Sequence, residues 1–234
     1  MLFIGPPFGN YFSYLSPPNT KTVKGSYTLH PRPGLIPQIF ATLRYSFIYE
    51  GWINKIGLRN PGIDYGIKNY KHNRDIISIA ILEPGDIEPI CEKLPENTNI
   101  EINVSCPNTE KHMINTGIQK FINPKREWCI IKCSPKTSEQ EINNYYKAGF
   151  RQFHFSNTLP TPTGGLSGHT LIPYTQSLSK HTKETYKDSI VICGGGIQSV
   201  NDIANYKYGD HHSISTLCFN PFKLTYLFYE LSKK

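Results

Sequence analysis

No run of apolar residues in this chain approaches the ~20 needed to cross a bilayer. The longest, residues 76–82, falls far short of it. The N-terminus, Met1-Leu2-Phe3-Ile4-Gly5-Pro6-Pro7, has neither a basic stretch nor an extended apolar segment, so a secretory leader is not expected. No Cys-x-x-Cys pair occurs among the six cysteines at 91, 106, 129, 133, 193 and 218. Most of them lie in apolar runs, as reduced buried thiols do, and a cytoplasmic location is expected. No block of basic residues concentrates the net charge of +7. Nucleic acid and membrane are therefore not expected partners, whereas a phosphate-bearing cofactor or an anionic substrate suits the charge. No low-complexity linker or tandem repeat offers a place to divide the chain, and one domain spanning residues 1–234 is expected.

What is present is a core-forming composition. Hydrophobic residues make up 38% and aromatics 12%, too many for a disordered chain. Strand-like runs recur at residues 2–5, 22–28, 75–82, 100–105, 129–134, 151–157, 190–194 and 213–217. Most are short and β-branched or aromatic, and several close on Gly, Ser, Asn or Pro. Helices are expected between them. One spans 86–94 after Pro84-Gly85. A second opens at Thr137, with Gln140 at the third position of a capping box, and stops at Ala148-Gly149. Ser199 caps a third ahead of Asp202, and the last runs from 221 to 232. The crossover at 10–21 has room for a short helix only, whereas residues 29–74 must hold a loop excursion as well as a helix. Eight strands alternating with helices predict an α/β fold, a single (β/α)8 TIM barrel.

Such a barrel carries its site at the C-terminal ends of the strands. Those ends hold Lys24-Gly25-Ser26, then Asn103-Val104-Ser105-Cys106-Pro107-Asn108, Lys132, Ser156-Asn157-Thr158, Gly194-Gly195-Gly196 and Ser215-Thr216. Three glycines before a capped helix suit a phosphate, because bare backbone can approach its oxygens. Gly164-Gly165-Leu166-Ser167-Gly168 reads either as part of that site or as a turn required by backbone geometry. Cys106 stands where a strand breaks at Pro107 among polar neighbours, and a thiol there can act as a general base. The other cysteines read as core. His211-His212 would face opposite ways on a strand, which argues against a shared metal.

Taken in order, these motifs resemble the dihydroorotate dehydrogenases. The resemblance rests on Gly5–Asn10, Val23-Lys24-Gly25-Ser26-Tyr27-Thr28 with Pro31-Arg32-Pro33-Gly34, and Asn54-Lys55-Ile56-Gly57-Leu58-Arg59-Asn60-Pro61-Gly62. Residues 103–109, Asn157-Thr158, 164–168 and 194–197 complete it. Lys-Gly-Ser, Asn-Pro-Gly and Cys106 resemble the soluble class 1 branch, and within it the catalytic subunit of the NAD-linked form. The quinone-using branch carries an N-terminal membrane-associating extension that this sequence does not show.

The resemblance implies oxidation of dihydroorotate to orotate in pyrimidine synthesis, with FMN as cofactor. Cys106 would take the C5 proton while hydride leaves C6. Lys24 would contact flavin and substrate, and Lys132 the flavin N1–C2 edge. Asn54, Gly57, Leu58, Asn103, Asn108, Asn157 and Thr158 would hold the substrate. Gly25, Asn103, Ser156, Ser167, Gly168, Gly195, Gly196, Ser215 and Thr216 would hold FMN. A homodimer and a separate iron–sulfur/FAD electron-transfer subunit are implied partners. Residues 159–163, 109–112 and 210–212 depart from the family pattern. Two other readings stay open: a degenerate barrel kept for binding, and another flavin barrel such as a dihydrouridine synthase.

Overall fold

The computed structural model describes residues 1–6, 8–11, 17–104 and 117–233. Eight parallel strands close into a barrel. They are β1 (Leu2–Ile4), β2 (Thr20–Tyr27), β5 (Asp75–Ile79), β6 (Ile100–Asn103), β7 (Cys129–Cys133), β8 (Gln152–Phe155), β11 (Ile190–Gly194) and β12 (His211–Ile214). β1 closes the ring by pairing with both β2 and β12. Alternation along these strands sorts their side chains into two cores. Phe3, Val23, Ile76, Trp128, Ile130 and Ile192 pack together inside the barrel with no helical residue among them. Their neighbours Ile4, Ile77, Ile131 and Cys193 face outward, into a larger core with Ile90, Ile142, Leu178 and Leu227 of the helices.

The helices α1 (Phe8–Tyr11), α2 (Leu35–Thr42), α3 (Ile63–Lys68), α4 (Ile87–Lys93), α5 (Glu139–Lys147), α6 (Ile172–Thr185), α7 (Val200–Asn205) and α8 (Pro221–Ser232) fill the crossovers. α5 is capped by Ser138, one residue later than expected. Ser138 Oγ accepts from the Glu141 amide at 3.2 Å, and Glu141 Oε2 accepts from the Ser138 amide at 2.7 Å. Glu141 rather than Gln140 therefore completes the box, because only Ser138 and Glu141 satisfy one another reciprocally. Ser199 caps α7 as expected, accepting from the Asp202 amide at 3.3 Å.

Two sequence expectations are corrected. The eighth strand is His211–Ile214 and not 213–217, since Leu217 and Cys218 are buried in a 3-10 turn beyond it. Residues 164–168 form no turn. They are β10 (Gly164–Gly168), which with β3 (Arg44–Ser46), β4 (Gly51–Asn54) and β9 (Leu159–Thr161) makes a second, antiparallel sheet in the order β3-β4-β10-β9. Glycine makes that pairing feasible, because a Cβ on Gly51 would lie 2.1 Å from the Ser167 carbonyl oxygen. The sheet joins the excursion after β2 to the one after β8, two segments far apart in sequence. His211 and His212 do face apart: His211 packs beside Phe3 and Trp128, His212 beside Tyr206. Among the described residues no cluster of metal-ligating side chains is present, and no helix is long and apolar enough to cross a membrane.

Candidate functional site

The C-terminal strand ends and the antiparallel sheet enclose one cavity of about 1590 Å³. Every site residue expected from the sequence and lying within the described residues borders it. Cys106 and Asn108 lie outside the described residues. The strand before them, β6, ends at Asn103, which borders the cavity.

One side of the cavity is polar and tied together. Asn157 Nδ2 donates to Asn103 Oδ1 at 3.1 Å, and Asn103 Nδ2 donates to Ser26 Oγ at 3.0 Å. Ser26 Oγ lies 2.9 Å from Ser78 Oγ, which donates to Glu101 Oε1 at 2.8 Å. Glu101 Oε2 lies 2.6 Å from His154 Nδ1, and Lys132 Nζ lies 3.5 Å from Glu101 Oε1. Burial alone would raise the Glu101 carboxyl. The Lys132 ammonium, the His154 ring and the Ser78 hydroxyl together hold it down at about 2. Burial pushes His154 below its ordinary value against the pull of Glu101. Its Nδ1 carries the hydrogen toward Glu101, and its buried Nε2 has no partner.

Ser26, Ser78, Glu101 and His154 were not among the expected site residues. The signal that finds them is parity. Glu101 lies two residues before Asn103, and His154 two before Ser156, so each shares the inward face of its strand with an expected residue. A Glu between Ile100 and Ile102 in a fully buried strand is a charge that demands partners. Ser26 faces inward because the β2–β5 register slips between Lys24 and Tyr27, a bulge that re-aims the residues after it.

The opposite side is built from bare backbone and hydroxyls. Gly195 and Gly196 follow β11 with φ of +91° and +74°, left-handed values that suit glycine. A Cβ on Gly195 would lie 2.8 Å from Leu171 Cβ. Ser156, Ser167, Gly168, Ser215 and Thr216 border the same region, and Ser215 Oγ donates to the Pro6 carbonyl at 2.6 Å. The roof carries the remaining residues. Asn54 ends β4, and Gly57 and Leu58 follow with φ of +66° and +55°. Asn60 pins this loop, accepting from the Thr28 and Gly62 amides at 3.1 and 2.8 Å and donating to the Leu58 carbonyl at 2.7 Å. Thr158 sits under β10, where a Cβ on Gly165 would meet its hydroxyl at 2.4 Å.

Lys24 and Gly25 border the cavity too. The Lys24 ammonium, however, is held 2.7 Å from Asp75 Oδ2 and donates to the Asn69 carbonyl at 3.1 Å. Lys24 pairs with Ile77, which faces the outer core. Its charge is therefore neutralised within the barrel wall, and Lys132 is the ammonium whose counter-ion lies beneath the cavity floor.

A family profile described as dihydroorotate dehydrogenase matches residues 19–124. The dihydroorotate dehydrogenase B (NAD(+)) catalytic subunit of Oceanobacillus iheyensis is 28% identical over 219 residues, 77% of this chain and 71% of that protein. The protein of the same name from Anoxybacillus flavithermus is 26% identical over 201 residues, 71% of this chain and 64% of its own length. Three of the curated relatives are matched over only 61 to 64% of their length. Among solved structures, that of DHODH from Eimeria tenella in complex with ferulenol has the same fold. Its TM-score is 0.65 at 18% identity, covering 91% of this chain and 73% of that one.

Proposed function

We propose that the chain is a member of the dihydroorotate dehydrogenase family, as the profile match over residues 19–124 and the relatives of 26–28% identity support, and that it is an FMN-dependent oxidoreductase converting dihydroorotate to orotate. The observation that carries this reading is the convergence on one cavity of the Asn54, Asn103 and Asn157 amides, the Lys132 ammonium and the Gly195-Gly196 backbone. These come from five separate segments of the chain. The residues suit FMN at both ends. A phosphate needs backbone without side chains, and at Gly195 a Cβ would collide with Leu171. The flavin's pyrimidine edge gains negative charge on reduction, and Lys132 supplies fixed positive charge in a low-dielectric site.

FMN, when bound, supplies the hydride acceptor for C6 of the substrate. The chain's own groups do the rest. Asn54, Asn103 and Asn157 each present a donor and an acceptor, matching a ring of alternating carbonyl and N–H groups. Asn103 and Asn157 are fixed against one another, so their orientation is set before substrate arrives. Cys106, as thiolate, takes the proton from C5. Thr158, Gly57 and Leu58 would cover the substrate, and Ser156, Ser167, Gly168, Ser215 and Thr216 would hold the ribityl phosphate. Lys24 supports the wall through Asp75, while its backbone and that of Gly25 would contact the ring.

The relatives named as NAD(+)-linked catalytic subunits support re-oxidation through a separate electron-transfer subunit, and a homodimer fits the same branch. The test is a visible spectrum of the purified protein, followed by anaerobic dihydroorotate. A flavin band that bleaches on addition is the expected result. A yellow protein that does not bleach overturns the substrate, and one that cannot be reconstituted with FMN overturns the cofactor.

A further inference from the structure

Beneath the cavity floor lies a carboxylate whose two oxygens are both taken by short bonds. Ser78 Oγ is 2.8 Å from Glu101 Oε1, and His154 Nδ1 is 2.6 Å from Oε2. The Lys132 ammonium lies 3.5 Å from Oε1, beyond the ~2.7–3.2 Å of an N–H···O bond. The carboxylate thus neutralises the lysine without capturing its N–H groups. Lys132 is also the member that reaches the cavity, with a side chain 12% exposed against 0% for Glu101 and 1% for His154.

We propose that His154 is a positioning residue: by occupying Glu101 Oε2 it keeps the Lys132 ammonium presented to the cavity. This rests on the flavin reading above for its consequence, though not for its geometry. Without the imidazole donor, Oε2 would be unpartnered in a dry interior, a costly state. The Lys132 ammonium, 3.5 Å from the other oxygen of the same carboxylate, is a cation able to satisfy it. A charge-assisted bond to the vacated Oε2 would bring that ammonium to about 2.8 Å from the carboxylate and withdraw its donors from the ligand. Ser78 does the same work at Oε1, so its loss moves Lys132 in the same direction. His154 therefore governs how much positive charge the cavity offers a bound anionic ring, without touching that ring.

Three variants test this. His154→Phe keeps the volume and removes the donor; His154→Asn keeps a donor near Nδ1; Ser78→Ala frees Oε1 with little change of packing and guards against a Phe variant that fails to fold. FMN affinity is read by flavin fluorescence and the bound midpoint potential by dye equilibration. His154→Phe and Ser78→Ala should weaken FMN binding about tenfold, and His154→Asn less than about threefold. Reduced FMN should lose about tenfold more than oxidised FMN, which is a midpoint about 30 mV more negative. The flavin-independent arm follows the Lys132 Cε resonance against pH in 13C-lysine-labelled apoprotein, assigned by its loss in Lys132→Met. A tighter pair raises the lysine's titration midpoint in His154→Phe and Ser78→Ala but not in His154→Asn. Unchanged lysine titration in both donor-deleting variants overturns the proposal, whatever FMN does. A wild-type protein that binds no FMN while the lysine midpoint shifts as expected overturns only the flavin reading.

Discussion

Lys24 and Asp75 are joined across β2 and β5 by a contact of 2.7 Å, with side chains 9% and 0% exposed. Asp75 also accepts from Thr22 Oγ1 at 2.6 Å and from the Lys71 amide at 2.9 Å. A buried charge with both oxygens engaged is a structural element of the wall. Lys24→Met leaves Asp75 uncompensated and should cost about 3–5 kcal/mol. Adding Asp75→Asn should recover much of that, because the orphaned charge is then gone. Urea unfolding of the two single variants and the double gives the coupling. FMN affinity should stay within about threefold in a folded Lys24→Met protein. Additive losses, or a large loss of FMN with no loss of stability, would return Lys24 to the ligand.

How much of this was legible in the sequence follows from which forces are local. Seven of the eight barrel strands were readable because most are short apolar runs with a breaker at the end, and α8 was readable to the residue; the eighth was placed too late because His211-His212 does not read as a strand. The antiparallel sheet was not, because β4 and β10 carry three glycines and one Asn at their paired positions and show little strand propensity. Their pairing is a long-range fact. In the site, Asn103, Lys132 and Asn157 stood out because they sit at strand ends. Glu101 and His154 lie one layer deeper, where a polar residue inside an apolar run reads as an irregularity until the partner strand is known. The turn of Lys24 toward Asp75 depends on β2–β5 register, which no spacing within β2 reveals.

The buried histidines predict how the fold meets acid. Burial, with smaller contributions, holds His212 at about 4 against an ordinary 6.5. Between those values the unfolded chain binds a proton that the folded one does not, so stability falls as pH falls through about 6.5 to 4. His154 acts in the same direction. Glu101 follows lower down: held at about 2 against 4.5, it contributes stability that is present above 4.5 and lost as pH falls toward 2. The urea midpoint should therefore begin to drop near pH 6.5, ahead of the carboxylate range. His212→Gln should flatten that upper part of the profile. Superimposable profiles for the two proteins would show that His212 titrates alike folded and unfolded.

Gly195 and Gly117 share left-handed backbone, with φ of +91° and +93°. A Cβ on Gly117 meets none of the described residues within 4 Å, whereas one on Gly195 meets Leu171 at 2.8 Å beside the cavity. Both alanine variants carry the backbone cost of about 1–2 kcal/mol. Gly195→Ala should lose more stability than Gly117→Ala and should weaken FMN binding at least about tenfold, with Gly117→Ala unchanged in affinity. Thermal unfolding and fluorescence titration of the two proteins make the comparison. Equal FMN affinity in both would move the phosphate away from this turn.

Cys106 separates binding from chemistry. The thiol is assigned to proton removal only, so Cys106→Ala should retain the flavin spectrum and bind orotate, while anaerobic bleaching by dihydroorotate slows by about 10²–10⁴. Cys106→Ser offers an oxygen in place of sulfur, and a hydroxyl is the weaker acid. Its bleaching should recover as pH rises, where the cysteine protein has already reached its plateau. The pH profile of the reductive half-reaction in stopped flow distinguishes a base from a packing residue. Loss of bleaching together with loss of the flavin spectrum would mean that Cys106 shapes the cofactor pocket. Bleaching at the wild-type rate in Cys106→Ala would leave the C5 proton to another group. Among the described residues His154, one layer beneath the cavity lining, carries a buried Nε2 without a hydrogen-bond partner. That outcome would be followed by the same measurement on His154→Asn, which keeps the Glu101 bond and removes the basic nitrogen.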